Sequence, residues 1–555
     1  MSTCRSPFRR WAIRTTTRSR TMQPTDSGHP SGGPPMEVRW DPRMHHCARA
    51  LALDGTVVAL NLVDLFLQTE SLRDIDGATP GEKVALTEFL LALCYASGTY
   101  PTSPDEWDRW VEEKASLEGV ATWLTRQSDE DWNLFHPTRP LGQNALLAPF
   151  LEEYGAGTAQ LVIERSGDYS QFADHHHLEY EVPLPAAEAF RAMLTQHSFG
   201  LSGRARISGK ATLGPAITNL ATGRLGGRVR VLALGKTLGH TLRLNLTPTT
   251  DEPRVLNLTW TEGPIQRRNF TAKPPPRPVM GFADLHSSLG RSVLMRPKAG
   301  LDGDRAAVDR VLIGAGELLD LDSALHLQDA VMSETRTGVS KPLWPSLTRD
   351  LWREAHALYA AVEKRSGGLY TRLARLPKEQ RCDSRTFALF AVGLLANKTA
   401  ATCWVTSVAP FAPGRAPELY LASERGSAVA EHIARSLDSA AFAAWEVAYP
   451  NPKPAEKKAQ IACFDARGEQ WKATEHPFHT LLEDVADGAD VAECMPGYVE
   501  WLVEMARGFL DKRLDSLPPN GQGLQARAVA RVRFEKELVS SRAPAEFATL
   551  VDGET

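Results

Sequence analysis

The last third of the chain constrains the fold most. From about residue 349, apolar residues recur at helical spacing almost without interruption. In YVEWLVEMARGFLDKRL, Tyr498, Trp501, Leu502, Met505 and Phe509 fall on one stripe. LPPNGQG (517–523) is a strong break, and LQARAVARVRFEKELV reads as a final helix. Long helices joined by short breaks bury their stripes against one another, which predicts a bundle of about four helices over roughly 420–545. A chain of 555 residues is too long for one core, so two to four domains are expected.

The part before the bundle reads differently. Over residues 48–72 the pattern is a short strand and then a helix, with the turn signal Asp54-Gly55 between two apolar runs. GEKVALTEFLLALCYAS (81–97) carries a wide helical stripe, and DEWDRWVEEKASLEGVATWLTRQ reads as another helix. WNLFHPTRPLGQ (132–143) is a connector, because two prolines and a glycine interrupt it. PLPAAEAFRAMLTQHSFG (183–200) is a helix with proline near its start and Gly200 past its end. Residues 252–345 mix short apolar runs with prolines, including the stiff AKPPPRPV. The expected fold is α+β: a mixed α/β domain over 37–415 and a C-terminal four-helix bundle over 416–555.

The first 36 residues hold six arginines, one aspartate and then a Ser/Gly/Pro tail. They read as a disordered basic arm, or as the product of a start placed too far upstream, with Met22 and Met36 as alternative starts. No apolar run approaches the length of a membrane span. The seven cysteines are scattered and odd in number, which points to reduced thiols in a cytoplasm. The net charge of −4 is unlike that of a strongly basic stand-alone nucleic-acid binder, so any basic surface must be local.

One such stretch exists. From Ala189 to Thr250 there is no Asp or Glu, although 67 acids in 555 residues would place about seven there. The same window holds Arg191, Arg204, Arg206, Lys210, Arg224, Arg228, Arg230, Lys236 and Arg243, together with nine glycines. Cations neutralise phosphates and release counterions. Glycines let backbone N–H groups approach a phosphate with no Cβ in the way. The combination suits a polyanion, and a Gly-rich β-region that is basic by chance is the plain alternative. In the last helix, Arg527 and Arg531 share a face near Arg533 and Lys536, either a second basic surface or an ordinary solvated face.

FADHHHLEYEVP (172–183) raises a competing possibility. In a strand, His175 and His177 would share one face, near Asp174 and Glu179, and imidazole with carboxylate is a common metal set. A metal-dependent nuclease built on these residues is therefore the alternative from a different class. No HExxH, CxxC or other metal spacing supports it, and a histidine-bearing solvated loop is the plainer reading. No metal or other cofactor is expected. A generic nucleic-acid-binding scaffold is the third reading.

Several segments taken in order resemble one family. NLFHPTRPLGQ (133–143), TQHSFG (195–200), the Gly-rich run 214–227 and GKTLGHTLRLNLTP (235–248) follow one another as in CasA, the large subunit of the type I-E CRISPR surveillance complex Cascade. GFADLHSSLGRSVLMRP (281–297), LQDAVMSETRTG (327–338) and GLLANKTAA (393–401) continue the order, and it holds from about residue 50 to 540. The resemblance implies no catalysis. It implies recognition of the short PAM duplex beside a target, help in opening that duplex for guide pairing, and docking of a helicase–nuclease. Implied partners are the crRNA-bound Cascade subunits, double-stranded target DNA and that nuclease, with no membrane. It places Arg165 on a loop facing the crRNA handle and PAM end, with the three histidines beside it. It matches Gly214, Ala216, Ile217, Thr218 and Asn219 to a minor-groove glycine loop. Asn397, Lys398 and Thr399 match a wedge that separates strands, Thr399 standing where relatives carry glutamine. A lysine finger would fall near Ala315 or Gly316, where this chain has no lysine.

Overall fold

The computed structural model describes residues 38–165, 182–205, 219–250, 253–260, 276–299, 306–322, 325, 328–334, 340–376, 387–397, 400–451 and 453–548. An antiparallel sheet opens the fold, with β1 (Ala48–Ala52) between β2 (Val57–Leu60) and β3 (Leu72–Ile75). Gly55 turns the β1–β2 hairpin at φ +89°, a conformation that favours glycine, so the Asp54-Gly55 signal is realised. Helix α1 (Pro80–Ser97) starts on Thr79, whose side chain accepts from the Glu82 amide, with Pro80 in the first turn. It is buried almost all round, consistent with its wide apolar stripe. The stretch expected as one helix after it is two, Pro104–Glu112 and Glu118–Thr125. Lys114, at φ +53°, breaks the run between them.

Helix α2 (Ala186–Phe199) packs on α1, and Phe190 sits edge-on to Phe89 at 5.8 Å between centroids. A second antiparallel sheet pairs β5 (Arg291–Ala299) with β6 (Ala306–Ala315); a third places β7 (Ala388–Asn397) between β4 (Arg230–Leu234) and β8 (Ala400–Pro410).

The β7–β8 hairpin corrects the expectation of near-continuous helix after residue 349. ALFAVGLL is buried on both faces, so its apolar residues run on rather than alternate. Such a run cannot be told from a buried helix by periodicity alone.

The C-terminal helices are as expected: α3 (Ala416–Ala448), α4 (Arg467–Ala486), α5 (Val491–Leu514) and α6 (Gly521–Leu538), with α3 packed against the other three. Small residues on α3 let its neighbours approach closely. A Cβ on Gly426 would lie 3.1 Å from both Leu481 and Phe478. One hydrophobic cluster runs from β4 and β7 into the helices, with Trp352 against Phe478 at 4.9 Å between centroids. Among the described residues no helix is long and apolar enough to cross a membrane.

Candidate nucleic-acid interface

The β7–β8 hairpin is paired from Ala388↔Pro410 to Asn397↔Ala400. On β7, Leu389 to Leu394 are buried and Ala396 and Asn397 are exposed, while Ala400, opposite Asn397 on β8, is buried. Lys398 and Thr399 fall between the last paired residues and lie outside the described residues. The base of the hairpin is clamped from two sides. Gly393 lies so close to Pro345 that an added Cβ would stand 2.9 Å from its ring. On β8, the Trp404 indole N–H donates to Glu164 at 2.6 Å, Phe199 meets its ring edge-on at 4.9 Å, and Gly81 of α1 leaves room for it. Glu164 belongs to the single turn Ile163–Arg165, so Arg165 is exposed beside the hairpin.

Next to this clamp runs the turn 223–228. Gly223 packs on the C-terminal end of α2, where a Cβ would lie 2.5 Å from the Ser198 carbonyl oxygen. Gly227 adopts φ +74° beneath Trp344, whose ring would lie 3.2 Å from an added Cβ. Trp344 itself is 62% exposed. The turn sends its two arginines different ways. Arg224 points inward to an ion pair with Glu88. Arg228 stays half-buried, and its Nη1 has no hydrogen-bond partner among the described residues. Burial, then the neighbouring Arg230 charge, lowers its pKa.

Most described arginines of the acid-free run have carboxylate partners supplied from elsewhere in the fold. Arg191 pairs with Glu82 at 2.8 Å, Arg230 with Asp329 at 2.5 Å and Arg243 with Glu70 at 2.7 Å, alongside Arg224 with Glu88. All four guanidiniums are buried, each side chain at 10% exposure or less. Burial would raise the Glu88 carboxyl, but the charges of Arg224 and His286 outweigh it and hold it at about 2. The expectation that the whole run forms an external footprint is therefore corrected for these four residues, Arg224 included. A phosphate could take Arg224 only by depriving the buried Glu88 of its main countercharge. Arg204 and Lys236 are exposed with Arg228 half so; Arg206 and Lys210 lie outside the described residues.

The remaining predicted residues are dispersed. Asn219 is exposed and directly opposite Arg204 on the two-residue ladder Gly203–Arg204 with Asn219–Leu220. Gly214, Ala216, Ile217 and Thr218 lie outside the described residues, as do Asp174, His175, His176, His177 and Glu179. No group of three or more metal-ligating side chains occurs among the described residues. At Gly316 a side chain has no room, because a Cβ would stand 2.1 Å from the Gly290 carbonyl carbon.

The bundle arginines are also engaged. Arg531 pairs with Asp511 at 2.7 Å, and Arg527 donates to the Leu517 carbonyl at 2.9 Å near Asp515. The row is one side of a mixed-charge seam between α5 and α6, which corrects its reading as a basic face.

Two features escaped the sequence. Trp344 beside Gly227 was signalled only by the pair Trp344-Pro345, and Arg204 opposite Asn219 depends on a ladder too short to leave a pattern.

The profile of the family described as CRISPR-associated protein Cse1 (CRISPR_cse1) matches residues 49–510. A CRISPR-associated protein CasA/Cse1 of Thermus thermophilus is 24% identical over 318 residues, 57% of this chain. The chain spans 58% of that relative's length in this match. The fold is similar to Cse1 from Acidimicrobium ferrooxidans, with a TM-score of 0.69 at 22% identity, covering 91% of this chain and 99% of that one. It is similar to a chain of a CRISPR RNA-guided surveillance complex, with a TM-score of 0.66 at 20% identity, covering 90% and 99%.

Proposed function

We propose a non-catalytic part in the recognition of foreign DNA, and the premise is family membership: the chain belongs to the CRISPR-associated Cse1 family. In this reading it is the large subunit of a type I-E Cascade complex and works in the cytoplasm with crRNA-bound subunits. It recognises the PAM duplex, helps to open it, and docks the helicase–nuclease. Residues 37–415 form the recognition part and residues 416–555 the helical part that meets neighbouring subunits.

The observation that carries the reading is the clamped hairpin. It is held by Trp404 with Glu164 and by Gly393 against Pro345, while Ala396 and Asn397 at its outer end are exposed. A hairpin held at mid-length, with a short polar turn in its sequence, suits a wedge between separating strands. Opening one base-pair step costs about 1–2 kcal/mol of stacking, which an inserted group offsets only if it stays in the vacated space. Lys398 is long enough for its ammonium to reach a strand phosphate, and Thr399 fills less space than glutamine. In this reading the exposed Arg204, Asn219 and Arg165 and the half-buried Arg228 meet the duplex or the crRNA end.

The test is R-loop formation by the assembled complex on linear and negatively supercoiled targets. Lys398→Ala slows opening most on linear DNA, since supercoiling supplies part of the missing energy. Wild-type rates for both Lys398→Ala and Thr399→Ala on linear DNA would remove the wedge from this hairpin. The nuclease alternative is tested separately with Mg²⁺ or Mn²⁺. Cleavage by the purified protein that disappears in His175→Ala would replace the non-catalytic reading.

A further inference from the structure

Beneath the turn 223–228 lie two cavities of about 30 and 20 Å³, and Arg224 and His286 line both. The smaller also has Glu88, Gln328, Asp329 and Arg372 in its wall. Its volume suits one water molecule or one ion of similar size.

The charges around it do not balance. Arg224 is matched by Glu88 and Arg230 by Asp329. Arg372 is 5% exposed and has no carboxylate partner among the described residues. It donates to the Thr247 hydroxyl at 2.9 Å and the Asn245 carbonyl at 3.4 Å, and its Nε has no partner among the described residues. His286 is equally incomplete. Its Nδ1 lies 2.6 Å from Glu88 Oε2, but Nε2 is buried with no partner among the described residues, in a side chain only 7% exposed. The imidazole stacks flat on Tyr95 at 5.7 Å and on Phe282 at 6.2 Å, so it is held against rotation toward another partner. Among the described residues three buried guanidiniums thus face two carboxylates, with Asp329 attracting Arg372 as well as Arg230, and an incompletely compensated buried charge is unfavourable.

We propose that the smaller cavity is a binding site for a small monovalent inorganic anion of chloride size. The anion supplies the acceptor that Arg372 lacks and the countercharge that the cluster lacks. The Glu88 carboxylate in the same wall opposes it, but that carboxylate is already matched by Arg224 and His286. A bound water would satisfy a hydrogen bond and leave the charge unbalanced. The ion would join the helices Phe282–His286 and Gly368–Leu373 to the turn that carries Arg228. The ionic medium would then set how firmly that turn is held. The proposal does not depend on the DNA-recognition reading.

The test uses the full-length protein. Its thermal midpoint is compared in sodium chloride and sodium gluconate at equal ionic strength. At a chloride concentration a hundredfold above Kd, the midpoint should be higher by roughly 2.5 °C. Arg372→Met should remove the difference between the salts, whatever its own midpoint. Crystals of the wild-type protein grown in sodium bromide should show an anomalous peak beside Arg372, a measurement that stands even if the variant does not fold. Equal midpoints in the two salts, or a bromide-free cavity holding water, would overturn the proposal.

Discussion

Replacing Arg224 with methionine separates two roles for this residue, because a DNA contact and a buried ion pair respond differently. The side chain is 10% exposed and Glu88 is 4% exposed, so the change leaves a carboxylate in the core without its closest guanidinium, with His286 still beside it. Breaking a buried pair by removing one partner costs about 3–5 kcal/mol. A carboxyl held at about 2 instead of its usual 4.5 corresponds to about 3 kcal/mol, in agreement with the lower end. With an unfolding entropy of about 2.1 cal/mol/K per residue over a unit of roughly 500 residues, 3 kcal/mol is a fall in midpoint of about 3 °C. The paired change Arg224→Met with Glu88→Gln should recover most of that loss, since both charges are then gone. The effect also has a pH signature. Because the folded carboxyl is depressed, its stabilisation is fully present above about pH 4.5 and is lost as pH falls toward 2. Arg224→Met should flatten that acid limb. The assay is calorimetric unfolding from pH 2 to 7, run beside DNA binding by the assembled complex. An unchanged midpoint together with weakened DNA binding would refute the reasoning and return Arg224 to the surface.

Other outcomes follow from the same geometry. Arg228→Ala should weaken duplex binding by the assembled complex and reduce the slope of log affinity against log salt by about one; an unchanged slope removes Arg228 from the interface. His240 is lowered to about 4, first by burial and then by Arg243, so its contribution is present above pH 6.5 and lost as pH falls to about 4. His240→Gln should flatten stability over that window in pH-dependent urea unfolding. The exposed Cys463 should react with a thiol reagent in the native state, while Cys47 and Cys94 wait for unfolding, because burial raises both thiols, Cys47 to about 12. Early modification of Cys47 would contradict its burial.

Much of the architecture follows from local pattern. The bundle helices, the Asp54-Gly55 hairpin, helix Pro80–Ser97 and the helix ending at Phe199 are each specified within a few turns of chain, where apolar period, caps and turn residues act. The collinear segments that resemble CasA also lie in the sequence, and family membership agrees with them.

What the sequence by itself determined, then, is the set of elements and the family. It did not determine which surface the basic residues would make. The acid-free run from Ala189 to Thr250 is a real feature of the chain, yet Glu70, Glu82, Glu88 and Asp329 reach it from outside that run. Charge is balanced in space and not along the chain, because Coulomb attraction acts across whichever segments the core brings together. The same limit explains the hairpin Ala388–Pro410: an apolar run has one hydrophobicity profile as helix or strand, and pairing with Arg230–Leu234 selected the strand. Only the tertiary structure separated Arg224, turned into the core, from Arg228, four residues later on the same turn.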